Sequence, residues 1–471
     1  MDVDKTSVEF QKSLIMSQFT QPSLRSQIQR MKTSFLQHPE FPFGDLLPQQ
    51  WFERLDAQAG NYRTKVFTPM VTLDAFIKQT LSADGSCKEA VAGVWASQVE
   101  QQLPVPSVNT GPYCKARQRL PEDLLHEAVQ VSGEGLHAQA PEAWQWQGYN
   151  VKVVDGTTVL MPDTPANQAQ YPQPRSQKSG LGFPIARLVA MLSLSSGAVV
   201  DYALGPYRGK RTGELSLFAP QLDSLSAGDL LLGDRYYCTY GLIAVLAPRE
   251  IPVVFQLHAQ RKVDFRRGTH LGSKDHLVQW TKPSSKPVWM SAQEYQALPA
   301  TLSVRELAVG GKVYVTTLLD AKRFSKRAIT KLYGLRWVVE LDLRTLKTEL
   351  KMEKLRCQTP EMVRKEIAVH FLAYNLIRAA MAHAAQRHRQ LPRTLSFKAT
   401  VQLLEAMKTQ LFDLSQSALE ALLKAIVSTP IGQRHRAAQP RAVKQRPKPY
   451  PRLAVPRKIA CQQLVAAHNP G

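Results

Sequence analysis

The spacing of apolar positions changes twice along the chain. In the first 145 residues it is helical: Leu73, Phe76, Ile77, Thr80 and Leu81 follow the 0, 3, 4, 7, 8 pattern of an amphipathic helix. Ser86, with Glu89 three residues later, forms a capping box that predicts the start of a helix over EAVAGVWASQVEQQL. Beyond the loop PVPSVNTGP lies YCKARQRLPEDLLHEAV, where Pro121, Glu122 and Asp123 suit the first turn of another helix. Lys115, Arg117 and Arg119 just before it read equally as phosphate contacts or as a solvated loop.

From Tyr149 onward the texture becomes short β runs. VKVVDGTTV, ARLVAMLSL and AVVDYALGPY predict consecutive strands joined by turns, with Ser195-Ser196-Gly197 as one turn. A helical stretch, GELSLFAPQLDSL, precedes a fourth strand, LLLGD, and a further helix leads to a fifth, IPVVFQL. Hairpin strands followed by strands alternating with helices imply an α/β layer with a mixed sheet. Residues 258–320 carry strand candidates KVDF, LVQW, LSVREL and KVYVTTLL with little helix, and read as a β-rich insertion. The chain then turns helical again, with Ile367, Phe371 and Tyr374 on one buried stripe. The expected organisation is a helical region 1–145, an α/β core 146–257, the insertion 258–320, the second part of the core 321–390, and a helical region with a basic tail 391–471.

Composition narrows the function. A chain of 471 residues exceeds one compact core. No uncharged apolar run approaches the length of a membrane span, and MDVDKTSVEFQK has neither the basic start nor the apolar centre of a secretory signal. The five cysteines, Cys87, Cys114, Cys238, Cys357 and Cys461, are scattered and form no C-x-x-C pair, which argues against a structural zinc site and a disulfide framework. A cytoplasmic, nucleoid-associated protein is expected. Net charge is +22, and the last 51 residues contain no acid. From Arg434 to Lys458 nine Lys or Arg stand among repeated prolines, so this tail is expected to be extended or disordered. Charge of this size points to a polyanion, nucleic acid first.

The chemistry concentrates in YGLRWVVELDLRTLK. Tyr333, Arg336, Glu340 and Lys347 have offsets of 0, 3, 7 and 14, which at about 100° per residue fall within roughly a 60° arc of one regular helix. Asp342 projects about 160° away from Glu340, whereas Arg344, Lys351 and Lys354 return to within about 40° of it and extend a cationic ridge. Leu335, Val339, Leu343, Leu346 and Leu350 form an adjacent packing face. A plain surface helix with a Glu340–Arg344 ion pair is the competing reading. Two more acids close strands: Asp155 after VKVV and Asp234 after LLLG. Strand-end carboxylates gather at one edge of a sheet, where ligands of open α/β sheets bind. Three clustered carboxylates repel unless a cation neutralises them, and oxygen ligands without His or Cys favour Mg²⁺ or Mn²⁺. Two such ions activate an attacking hydroxyl and stabilise the leaving oxygen at a phosphodiester.

The pattern Y-x2-R-x3-E-x6-K, with Trp337 after the Arg, resembles the Tyr-Arg-Glu-Lys motif of bacterial DDE transposases of the insertion-sequence-four family. VVDGTTVLMPD and LLLGDRYYC resemble the family's first and second Asp regions, and the likeness spans about residues 70–455. Tyr236-Tyr237 after Asp234-Arg235 departs from the family's usual Gly-aromatic pair. The resemblance implies a ribonuclease H-like core with Asp155, Asp234 and Glu340 as catalytic metal ligands. Tyr333, Arg336 and Lys347 would then grip phosphates near the cleaved end, with Arg235, Arg344 and Lys351 adding DNA contacts. It further implies cut-and-paste movement, DNA hairpins, terminal inverted repeats and target DNA as partners, and synapsis by a homodimer. Trp280 and Trp289 are candidates for stacking a flipped base, against the simpler role of core or surface tryptophans. A ribonuclease H-like nuclease or resolvase without strand transfer, or a non-catalytic DNA-binding regulator, are the alternatives.

Overall fold

The computed structural model describes residues 22–468, apart from 38–40, 42, 60–65, 104, 259, 408–410, 412–414 and 432–452. It opens with six helices: α1 (Leu24–Ser34), α2 (Gln49–Gln58), α3 (Pro69–Leu81), α4 (Cys87–Glu100), α5 (Gly111–Arg119) and α6 (Glu122–Ala138). Thr68 and Ser86 cap α3 and α4 through their hydroxyls, each accepting a backbone N–H that would otherwise be unpaired. Only half of the expected capping box forms at α4. Glu89 turns its carboxylate to the Gly85 N–H and the Ser82 hydroxyl instead of the Ser86 backbone.

Then follow β1 (Asn150–Leu160), α7 (Pro165–Gln170), β2 (Ile185–Ser193), β3 (Val199–Pro206), α8 (Glu214–Phe218), β4 (Asp229–Gly233), α9 (Tyr240–Leu246) and β5 (Val253–Gln256). The turn expected at Ser195–Gly197 joins β2 and β3, with Gly197 at φ +80°. The β1–β2 connection is no tight turn. It runs through residues 161–184 and carries α7, because Thr164 followed by Pro165 starts a helix. Residues 258–320 contribute β6 (Thr269–Gly272), β7 (Asp275–Thr281), α10 (Ala292–Ala297), β8 (Thr301–Val309) and β9 (Lys312–Thr316). KVDF, expected as a strand, lies in the irregular stretch before β6, where it pairs with no strand.

All nine strands form one mixed sheet in the order β3-β2-β1-β4-β5-β9-β8-β7-β6. β1, β4 and β5 run parallel at its centre, and the other neighbours are antiparallel. The strands of the expected insertion thus extend the same sheet beyond β5. Alternation along β1 sends Val151 and Val153 to one apolar cluster and Val154 to the other, so both faces of the central strands are covered.

The C-terminal part comprises α11 (Lys326–Gly334), α12 (Trp337–Thr348), α13 (Pro360–Arg387), α14 (Phe397–Ala406), α15 (Gln416–Val427) and α16 (Arg457–His468). The long helix α13 is buried almost all round between the sheet and the N-terminal helices. Its Asn375 amide accepts from the Val199 N–H (2.8 Å) and donates to Val199 O, Ser132 Oγ and Val129 O, tying α13 to β3 and α6 with every polar atom satisfied. Gly133 lets α6 approach β3 this closely: a Cβ there would lie 2.0 Å from the Val199 carbonyl oxygen. Most of the expected basic tail lies outside the described residues, but its end is ordered. Arg457 donates to the Gly182 carbonyl at 3.0 Å, pairs with Asp163 and begins α16.

Candidate active site

Asp155 and Asp234 occupy matching positions on neighbouring parallel strands. The β1–β4 register pairs Val153 with Leu232, so two residues further on each chain leads to the two aspartates. Parallel neighbours lie about 4.8 Å apart, and by alternation both side chains leave the face that carries Val153 and Leu232. Asp155 Oδ1 accepts from the Gly156 N–H at 2.9 Å, and Asp234 Oδ1 accepts from the Tyr236 N–H at 2.8 Å. Asp234 is aimed by the turn that follows β4, whereas Asp155, expected to close its strand, stands in the middle of β1, which stays paired with β2 as far as Leu160.

Glu340 arrives on the first turn of α12, which packs against the same face. The expected single helix over 333–347 is broken at Leu335-Arg336, so Tyr333 lies in the last turn of α11 and Arg336 precedes α12. The break follows Gly334, a poor helix former, and it has consequences. Leu335 is 42% exposed, unlike Val339, Leu343, Leu346 and Leu350, which are buried. At the other end α12 stops at Thr348, and Lys351 takes a left-handed φ of +55°, so Lys351 and Lys354 lie beyond the helix. The Lys351 ammonium donates to the Ala83 carbonyl and holds the α3–α4 loop.

Arg336 joins the acids. Its guanidinium lies 3.4 Å from Asp155 Oδ2 and 2.9 Å from Glu340 Oε1. Glu340 pairs backward with Arg336, and Arg344 is exposed. Burial pushes the Asp155 carboxyl up to about 6, opposed by the Arg336 charge and the Gly156 N–H and reinforced by Asp234 and Glu340. Arg336 is held firmly protonated, burial being outweighed by Glu340, Tyr333 and Asp155. Tyr333 packs on Tyr314 at 4.8 Å between ring centroids, and burial pushes its phenol up to about 12. Its hydroxyl donates to Gln256 at the end of β5, 3.4 Å away. Lys347 is half-buried on α12, and Arg235 is exposed directly after Asp234. Asp342 points away from this group: it is buried between Arg378 and Arg393, at 2.7 Å from each.

The two tryptophans fare differently. Trp280 is 3% exposed, donates its indole N–H to Glu306 and has the Arg261 guanidinium 3.7 Å from its ring centre, so neither face of the ring is open as it stands. Trp289 is half-buried. Arg117, a possible phosphate contact by sequence, is buried beside Gln79, Cys87 and Cys114, whereas Lys115 is exposed. Sequence reasoning missed Glu214, Arg187 and Tyr237, which lie behind the aspartates on the opposite face of the sheet.

Asp155, Asp234 and Glu340 offer oxygen donors only, the donor type that a hard divalent cation prefers. Among the described residues no three His, Cys, Asp or Glu side chains stand close enough together to hold a metal ion. Arg336 takes the cation's position between Asp155 and Glu340. The donors fit a divalent ion in kind.

An aspartate within one parallel strand, a second just past the end of its neighbour and a helical glutamate define a class, and similarity to known proteins agrees with it. Residues 146–376 match the transposase DDE domain, so the chain is a DDE transposase, an enzyme of DNA cleavage and transesterification that works with divalent metal ions. Transposase InsG for insertion sequence element IS4, from Escherichia coli (strain K12), is 27% identical over 360 residues, covering 74% of this chain and 79% of the relative. Putative transposase InsZ of the same organism is 24% identical over 231 residues, covering 45% of this chain and 71% of the relative. A piggyBac transposase synaptic complex with hairpin DNA superposes with a TM-score of 0.42 at 10% identity, covering 83% and 86% of the two chains, a likeness too loose to add weight. Among the described residues no helix is long and apolar enough to cross a membrane.

Proposed function

We propose that this transposase cuts the terminal inverted repeats of its own element and joins them to target DNA, with Asp155, Asp234 and Glu340 as the acids of the site. The observation that carries the reading is the sharing of one guanidinium by Asp155 and Glu340 beside the strand-matched Asp234. The order β3-β2-β1-β4-β5, antiparallel and then parallel, supports a ribonuclease H-like core, and β6–β9 fill the place of the insertion. The three acids would hold Mg²⁺ or Mn²⁺, two ions in all, which supply charge neutralisation at the phosphodiester and activation of the attacking hydroxyl.

The chain's own residues do the rest. Tyr333 is locked between β5 and β9 and sets the start of the break, so Arg336 enters the site at a defined angle. On binding an end, Arg336 exchanges its carboxylate partners for phosphate oxygens, which accept the same forked donors. Lys347 lies further along the face of α12 that carries Glu340, and Arg235 and Arg344 are exposed nearby in sequence, ready for the DNA backbone. Trp289 is the better candidate for stacking a displaced base, since Trp280 is engaged by Glu306 and Arg261. The family motif supports hairpin excision and synapsis by a homodimer.

The test is incubation of the protein with pre-cleaved element ends, a plasmid target and Mg²⁺. Covalent joining of both ends to the plasmid is expected. Cleavage of ends without any joined product would make the protein a nuclease, and binding without metal-dependent nicking would make it a regulator.

A further inference from the structure

We propose that Glu214 is a fourth acid of the site: a positioning residue that supports Asp155 and Asp234 from the opposite face of the sheet and raises their affinity for a divalent cation. The inference rests on the reading of Asp155, Asp234 and Glu340 given above.

Three features place it. First, Gly156 follows Asp155 on β1, and by alternation its missing side chain points to the far face. A Cβ there would lie 2.5 Å from Glu214 Cδ and 2.7 Å from Oε1. The carboxyl group thus rests directly on the backbone that carries Asp155, a seat available only beside glycine. Second, Arg187 on β2 stands 3.6 Å from Glu214 Oε1, an ion pair that holds the side chain over β1 without closing a hydrogen bond. Third, the Tyr237 hydroxyl is fully buried next to Glu214, with no hydrogen bond of standard geometry, three residues after Asp234. One carboxylate therefore adjoins both the β1 backbone after Asp155 and the turn that follows Asp234, and its charge acts on Asp234.

The role is electrostatic and steric together. Glu214 backs the β1 strand at Gly156 from behind, so the neighbouring aspartate cannot retreat through the sheet. It also adds a negative charge that strengthens the pull on a cation without offering it a ligand. Residues of this kind typically change metal affinity by about 10- to 100-fold when replaced.

The experiment measures Mn²⁺ binding to the full-length protein saturated with a pre-cleaved element end, by counting free Mn²⁺ in solution and subtracting what the DNA binds alone, alongside the metal dependence of end cleavage. Glu214→Gln is expected to fold, to weaken Mn²⁺ binding about tenfold, and to raise the Mn²⁺ needed for half-maximal cleavage equally while the rate at saturating metal stays near wild type. Glu214→Asp, which keeps the charge, is expected to recover most of the affinity. Wild-type Mn²⁺ affinity in Glu214→Gln overturns the proposal, as does a Glu214→Asp variant as impaired as Gln. Should Glu214→Gln fail to fold, Arg187→Gln reads the contact from the other side: Mn²⁺ binding should tighten about threefold as the carboxylate loses its counter-charge, and unchanged or weaker binding overturns the proposal. Glu340→Gln in the same assay separates the two readings. If it weakens Mn²⁺ binding while Glu214→Gln does not, only the present proposal falls; wild-type binding in both removes the acid site itself.

Discussion

The Arg336 guanidinium lies 3.4 Å from Asp155, a residue 181 positions earlier, while its other arm holds Glu340 at 2.9 Å. One arginine from the Tyr-Arg-Glu-Lys segment thus spans the helix-to-sheet gap between the two acids proposed to share cations. It keeps their like charges together.

Replacing Glu340 by Gln keeps an oxygen acceptor for Arg336 and removes the charge. End cleavage is expected to fall by more than the roughly 100-fold typical of losing a supporting residue at a metal site, with end binding largely retained. Cleavage and mobility-shift assays on the same preparation measure both, and undiminished cleavage would remove Glu340 from the site.

Lys347→Ala is expected to weaken binding of element ends without changing sequence preference. One lost phosphate contact lowers the slope of log affinity against log salt by about 0.9. An unchanged slope between low and moderate salt would contradict the role.

The metal-free protein should carry a pH signature. Burial raises the Asp155 carboxyl to about 6 from its ordinary 3.8, so ionising it in the folded state costs roughly 3 kcal/mol more than in the unfolded chain. The folded state therefore holds the proton more tightly: this stability is fully present below pH 3.8 and is lost as pH rises through 6. In metal-free buffer Asp155→Asn is expected to raise the melting temperature at pH 7.5 by several degrees, with the gain vanishing near pH 4. A gain independent of pH would refute the assignment.

Asp342 is only two residues from Glu340 and has the opposite role. Its carboxylate neutralises buried Arg378 and half-buried Arg393, so Asp342→Ala leaves two guanidiniums without a counter-charge. A loss of about 3–5 kcal/mol is expected in urea unfolding, with the cleavage rate per folded molecule preserved.

Strands β1 to β5 were legible as short β-favouring runs, and Asp234 as the acid that closes one of them; Asp155 was read as closing VKVV, but β1 continues past it to Leu160 because Thr157 to Leu160 stay paired with β2. Asp342 was separated from Glu340 by helical geometry alone, which holds within α12. The break at Leu335-Arg336 was hidden, since the apolar period runs through it unchanged. KVDF has the composition of a strand but no neighbour to pair with. The enclosure of Trp280 depends on Glu306 and Arg261, both remote from it in sequence. Glu214 had no local signal, because its place is set by the missing side chain of Gly156 on another element. The only available hint was a glycine inside an otherwise β-favouring run.

The central claim is that Asp155, Asp234 and Glu340 close on shared divalent ions as Arg336 moves to phosphate. Anomalous diffraction from Mn²⁺ in crystals of the protein with a cleaved element end tests it most directly. Peaks bounded by the three carboxylates, with Arg336 on a DNA phosphate, are the expected result. Arg336 still bridging Asp155 and Glu340, with Mn²⁺ bound elsewhere, would contradict it.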